Sequence, residues 1–279
     1  MMSRHDPVAA NPPRRIARVI LAILGLLLIV LFAGLGTWQV VRLQWKLALI
    51  ERVESRVHAA PVLPPPPDRW AQVSKENDEY RHVRLAGHFL YEFTTPVQAL
   101  SDLGAGFWLI TPLCSTDGSI VLVNRGFIPA SGNTLARYPA RRASGDACAA
   151  VTGAAHTITG LLRIAEPGGG FLRENDPARN RWYSRDVAGI GAARGLTRLA
   201  PNGAPVIAPF FVDAARGQEP AGAPDQPVGG LTVISFPNNH LVYAATWYAL
   251  ALMVAGAWWY IARLAKREAD PARKNGSKV

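Results

Sequence analysis

The residue best suited to chemistry in this 279-residue chain is His240. It follows Asn238 and Asn239 and opens a run, residues 241–262, that carries no charge. At 1.5 Å per residue the run makes about 33 Å of helix, enough to cross a bilayer. Asn238 or Asn239 can cap the first turn, which puts His240 in that turn, at one membrane face. A helix N-terminus disfavours a cation, and neutral imidazole is the form that ligates metal. Taken alone, a histidine at a membrane edge is better read as an interfacial polar residue; the residues around it change the balance. Arg42 and Lys46 are expected at about the same depth and could receive anionic groups such as carboxylates. Snorkelling to lipid headgroups would also account for them.

Two apolar helices must position these residues. A second uncharged run, residues 19–41, lies close behind Arg14, Arg15 and Arg18. It is too long for a signal-peptide core and no A-x-A cleavage site is evident, so it reads as a retained membrane helix. The net charge of +10 sits mainly in the tails. The first eighteen residues hold four Arg and one Asp, and residues 263–279 hold six Lys or Arg against two acids. Residues between 42 and 240 are nearly balanced, with 20 basic and 17 acidic side chains. That is not the footprint of a nucleic-acid-binding face. The positive-inside rule makes both termini cytoplasmic and exports the central domain. Ala22, Gly25, Ala33 and Gly36 in the first span, and Ala244, Ala245, Ala249, Ala251, Ala255 and Gly256 in the second, provide small surfaces for close packing. The spans are expected to pack on each other or on a partner. Leu43, Leu47, Ile50, Val53 and Val57 continue a helical spacing beyond the first span. Pro61 and the prolines at 64–67 end it in an extended segment.

The organisation expected is a tail (1–18), a membrane helix (19–41), a β-rich domain (42–239), a second membrane helix (240–262) and a basic tail (263–279). Within the domain, 42–60 is a helical extension and 61–68 a Pro-rich linker. Alternation predicts strands over 80–89, 107–113, 119–128, 156–164, 181–184, 206–212 and 231–236. Asp117-Gly118 marks a hairpin turn, residues 187–194 a short helix, and 131–150 and 217–230 loops. The fold class is thus a membrane protein with two helices flanking an antiparallel, barrel-like α+β domain. Cys114 and Cys148 either form a disulfide or leave Cys114 unpaired in a strand. C-x-x-C-H, C-x-x-C, G-x-S-x-G, H-E-x-x-H and the P-loop are all missing. His82 and His88 share a strand face and read as ordinary strand residues. No carboxylate pair stands out, so an enzyme is not expected.

Several stretches resemble the surfeit locus protein 1 family of cytochrome c oxidase assembly factors. They are GTWQVVRLQWKLALI, EYRHVRLAGHF, GFWLITPL, VLVNRGFIP, GLLRIAEPGGGFLRENDPARNRWYSRDV and NNHLVYAATWYALA. The resemblance covers nearly everything from residue 36 to 251. It implies a protein of the bacterial inner membrane with a periplasmic domain, which binds haem a non-covalently as cargo. The cargo would go to the large catalytic subunit of a haem-copper oxidase. The large subunit, haem a biosynthesis enzymes and the bilayer are the implied partners. His240 is the implied iron ligand, with Arg42 and Lys46 near the propionates. Tyr243 and Trp247 could pack on the macrocycle, or anchor the helix against the first span. Arg125, Asn175, Asp176, Trp182, Tyr183 and Asp186 match family motifs and are expected to hold turns and strand ends together. Val242 stands where many relatives carry Gln, and VQALSDLGAG lacks a basic residue that relatives often have. The competing readings are a cofactor-free scaffold and, third, a haem-modifying enzyme.

Overall fold

The computed structural model describes residues 14–149, 151, 154–170, 172–199, 206–232, 234, 236 and 238–269. Most of both charged tails, residues 1–13 and 270–279, lies outside them. In chain order the elements begin with α1 (Arg14–His58), the single turn α2 (Lys75–Asp78), β1 (His82–Phe89), β2 (Thr95–Ser101) and β3 (Gly104–Ser115). Next come β4 (Ile120–Pro129), the turn α3 (Thr134–Arg137), β5 (His156–Ile164) and the short pair β6 (Gly169–Gly170) and β7 (Arg173–Glu174). The chain then forms α4 (Val187–Arg194), β8 (Ile207–Ala214) and α5 (His240–Ala269). Two compact units result: Met1–Ile50 with Ser235–Val279, and Glu51–Ile234.

The second unit is a closed five-strand barrel. Its strand order is β1-β5-β8-β4-β3, and β3 pairs back onto β1. The barrel is of mixed orientation, because β4 and β8 run parallel while the other pairs are antiparallel. A purely antiparallel barrel was the sequence expectation. The parallel pair is buried on both faces, and an uninterrupted apolar run does not encode strand direction. Val121 and Val123 face the interior with Val83, Leu85, Leu162, Phe210 and Val212. Leu122 and Phe211 face outward, where α4 and Trp182 cover them. This is the two-residue alternation of a strand with a core on each side. Gly87 and Gly160 permit the tight closure: a Cβ on either would lie 2.2 Å from the carbonyl oxygen of Cys114 or Asp213.

The strands expected over 80–89, 107–113, 119–128, 156–164 and 206–212 are present as β1, β3, β4, β5 and β8, and the helix expected over 187–194 is α4. Residues 181–184 make only isolated bridges, Trp182 to Val97 and Arg181 to Asp176. At its described positions, 231–236 is not a strand. β2 was not anticipated; its outer residues alternate polar and apolar without a buried partner face, and it attaches only at the edge, through β3 and Trp182. The family-motif residues hold turns. Asn175 Oδ1 accepts from the backbone of Tyr183 and Ser184, Asp176 caps the turn at Pro177, and Asp186 caps α4 by accepting from Gly189 N at 2.9 Å. Trp182 donates to Asn180 Oδ1. Arg125 binds Glu219 through Nε at 2.9 Å and lies over the Tyr91 ring.

One carboxylate joins three strands' worth of charge. Asp213, only 4% exposed, accepts from Asn124 at 2.8 Å, from Arg163 at 2.9 Å and from Thr232 at 2.9 Å. Burial alone would lower the pKa of Arg163, but Asp213 and Glu79 outweigh it and hold the guanidinium charged. Arg194 lacks a carboxylate partner among the described residues; it donates to Thr95 and Asn180, and burial pulls it down to about 10. The cysteines are bonded, Cys114 on β3 to Cys148 in the loop, with Cα atoms 5.8 Å apart.

In the first unit α1 and α5 pack antiparallel. Phe32 stacks on Trp247 with centroids 5.7 Å apart, and seven residues further along α1 Gln39 meets His240, seven residues back on α5. Gly36, Ala244 and Ala251 are buried in this contact. A Cβ on Gly36 would lie 3.0 Å from the Tyr248 ring, whose hydroxyl sits 3.0 Å from Thr37 Oγ1. The outer faces are apolar: Leu21 is 63% and Leu252 72% exposed. Both helices are long and apolar enough to cross a membrane.

Three outcomes are expected. Alkylation of the unfolded, unreduced protein should label neither cysteine by mass. Asp213→Asn should destabilise the barrel by about 3–5 kcal/mol in denaturant melts, the cost of leaving a buried ion pair half made. Gly36→Val should push Tyr248 aside and weaken α1–α5 pairing, read as faster cysteine cross-link loss between engineered sites on the two helices; Gly36→Ala should do so less.

Candidate functional site

His240 is the first residue of α5, as its asparagine-led sequence implies. The helix is closed there by backbone, Tyr243 N donating to Asn239 O at 3.2 Å. Asn238 caps nothing through its side chain: its Oδ1 is buried without a hydrogen-bond partner among the described residues. The His240 ring is part-buried, and Nδ1 lies 2.7 Å from Gln39 Oε1 across the helix pair. Among the described residues Nε2 has no hydrogen-bond partner. Gln39 was missed by the sequence reading. Its signal was the seven-residue spacing to Lys46, which puts both within about 20° on one helical face.

The cations follow Gln39 on α1. Arg42 lies one turn beyond it and Lys46 two turns, about 4.5 and 10.5 Å along the axis. His240 is therefore level with Gln39, and Arg42 and Lys46 lie progressively further along α1. The Arg42 guanidinium sits 4.2 Å from the Trp45 ring centroid, and Lys46 Nζ 5.2 Å from that of Phe236. Tyr243 is exposed on α5, at 54%. Trp247 faces the first helix, where Phe32 covers it. The structure thus brings His240, Gln39 and the α1 cations to one end of the helix pair, and commits Trp247 to the contact between helices.

The donor set suits a planar metal complex that brings its own equatorial ligands. Among the described residues no three His, Cys, Asp or Glu side chains gather as a protein-only metal cage. One imidazole whose Nε2 has no partner among the described residues could supply a single ligand atom, and Asn238 Oδ1, buried without a partner among the described residues, is an acceptor two residues away. The barrel has a polar cavity of about 180 Å³ lined by Asn124, Arg163, Arg185, Asp213 and Thr232. Its arginines are already paired with Glu79, Glu166 and Asp213, so the cavity wall is a closed charge network.

Comparison with known proteins identifies the family over most of the chain. The SURF1 family profile matches residues 26–252. Surfeit locus protein 1 of Mus musculus is 36% identical over 242 residues, which is 81% of this chain and 70% of the mouse protein. That of Homo sapiens is 35% identical over 243 residues, 81% of this chain and 72% of the human one. That of Takifugu rubripes is 32% identical over 81% of this chain and 90% of its own. The profile runs from within α1, through the whole barrel, into α5, and the chain belongs to the SURF1 family.

Proposed function

We propose that this chain is a membrane-anchored assembly factor for cytochrome c oxidase that holds haem a at the outer end of the α1–α5 pair and passes it to the large catalytic subunit. The observation that carries this reading is His240 at the head of an apolar helix, with Nδ1 engaged by Gln39 and Nε2 without a partner among the described residues. Haem a is amphiphilic, with an apolar tail and two carboxylates. The exposed apolar faces of the helices suit the tail, and Arg42 and Lys46 suit the carboxylates. A neutral imidazole supplies one axial bond to iron. No catalytic step is ascribed to the protein; its residues bind, orient and release.

The antiparallel pairing puts the Arg18 end of α1 beside the end of α5 that carries Arg263, Lys266 and Arg267. With positive charge retained inside, both termini are cytoplasmic and the barrel lies on the far side, the periplasm of a bacterial inner membrane. A cofactor-free scaffold for an oxidase intermediate is the second reading. It is favoured by Trp247 and Arg42, which are already used against Phe32 and Trp45.

Protein purified from cells that make haem a is expected to carry it, with an absorption spectrum that His240→Ala abolishes. His240→Met should retain haem with a shifted spectrum, because a thioether replaces the imidazole. Arg42→Ala should weaken retention a few fold only. Wild-type protein that never carries haem yet supports oxidase assembly would favour the scaffold.

A further inference from the structure

We infer that Gln39 is the positioning residue for His240: its side-chain carbonyl selects the Nδ1–H tautomer and leaves Nε2 as the only lone pair available to iron. The inference rests on the haem reading for its purpose and on the helix pair for its geometry.

Gln39 Oε1 lies 2.7 Å from His240 Nδ1. A carbonyl oxygen can only accept, so Nδ1 must donate. In a neutral imidazole the other nitrogen then carries the lone pair. Metal-bound histidines are held this way, with the distal N–H given to a carbonyl or carboxylate that fixes ring orientation and raises ligand basicity. The acceptor here comes from the other helix. The Phe32–Trp247 stack, two turns deeper in the same register, holds the two backbones so that Gln39 and His240 stay opposed. Gly36, between Phe32 and Gln39, lets the helices approach closely enough for the bond. Ring angle, tautomer and helix spacing are thus one arrangement.

A Gln–His bond could instead serve only to glue two membrane helices. The two roles differ in what they predict for the ring. Nitrogen NMR of histidine-labelled, haem-free full-length protein, at a pH where imidazoles are neutral, reads the tautomer directly, with His240→Ala identifying the signal. Wild type is expected to show Nδ1–H. Gln39→Leu, close in size, should release the ring to the Nε2–H form, and Gln39→Glu should restore Nδ1–H. In protein loaded with haem a, Gln39→Leu should weaken haem retention about 10- to 100-fold, the usual cost of losing such a partner. Gln39→Glu should restore retention and lower the midpoint potential, because the anionic acceptor makes the imidazole a stronger donor. An Nε2–H wild type, or a Gln39→Leu protein with unchanged tautomer, retention and potential, overturns the inference. Wild type with the Nδ1–H ring that takes up no haem defeats the haem reading instead, and leaves Gln39 with its hold on the ring.

Discussion

Asp213 is the interaction on which the barrel depends. It stands near the end of β8 with almost no exposure, and a lone carboxylate there would cost several kcal/mol. The donors that offset this cost come from separate parts of the chain: Asn124 on β4, Arg163 on β5 and Thr232 beyond β8. Arg185 approaches from the segment before α4, within 3.5 Å. Satisfying Asp213 therefore sets β5 and β4 on either side of β8 and draws the chain after β8 back across the sheet. The ring of Phe211 beneath Arg163 and Arg185 completes the shell, with Arg185 4.9 Å from its centroid. The parallel β4–β8 pair is held by charge and by cores on both its faces.

The helix pair works by other means. Lipid removes the hydrophobic drive for two apolar helices to meet, so close packing and polar bonds must supply it. Gly36, Ala244 and Ala251 provide the close packing, and Phe32–Trp247, Thr37–Tyr248 and Gln39–His240 the specific contacts. The most polar of these contacts lies at the head of α5, where the carbonyl that opens the helix, Asn239 O, is also found. His240 opens α5 there, opposite Gln39 on α1.

Periodicity made the helices and most strands legible, since a core on one face leaves an alternation of two and a membrane span an unbroken apolar run. His240 stood out for the same reason, a titratable ring at the first position after the asparagines. Residues 181–184 and 231–236 carry strand-like composition yet pair only as bridges or not at all at their described positions, because composition does not supply a neighbour. β2 was hidden because it leans on β3 at the edge of the barrel and buries little beyond its first three residues.

By itself the sequence determined two membrane-length helices, a β-rich domain between them, the α4 helix, and a histidine at the head of α5. These follow from local rules, in which each residue's neighbours along the chain are also its neighbours in space. Tertiary structure decided the rest. The parallel direction of β4 and β8, the closing of β3 on β1, the Cys114–Cys148 bond and the meeting of Gln39 with His240 join residues far apart in sequence. No periodicity spans such distances, so the partner of each group, and with it the tautomer of the imidazole, is set only when the chain has packed.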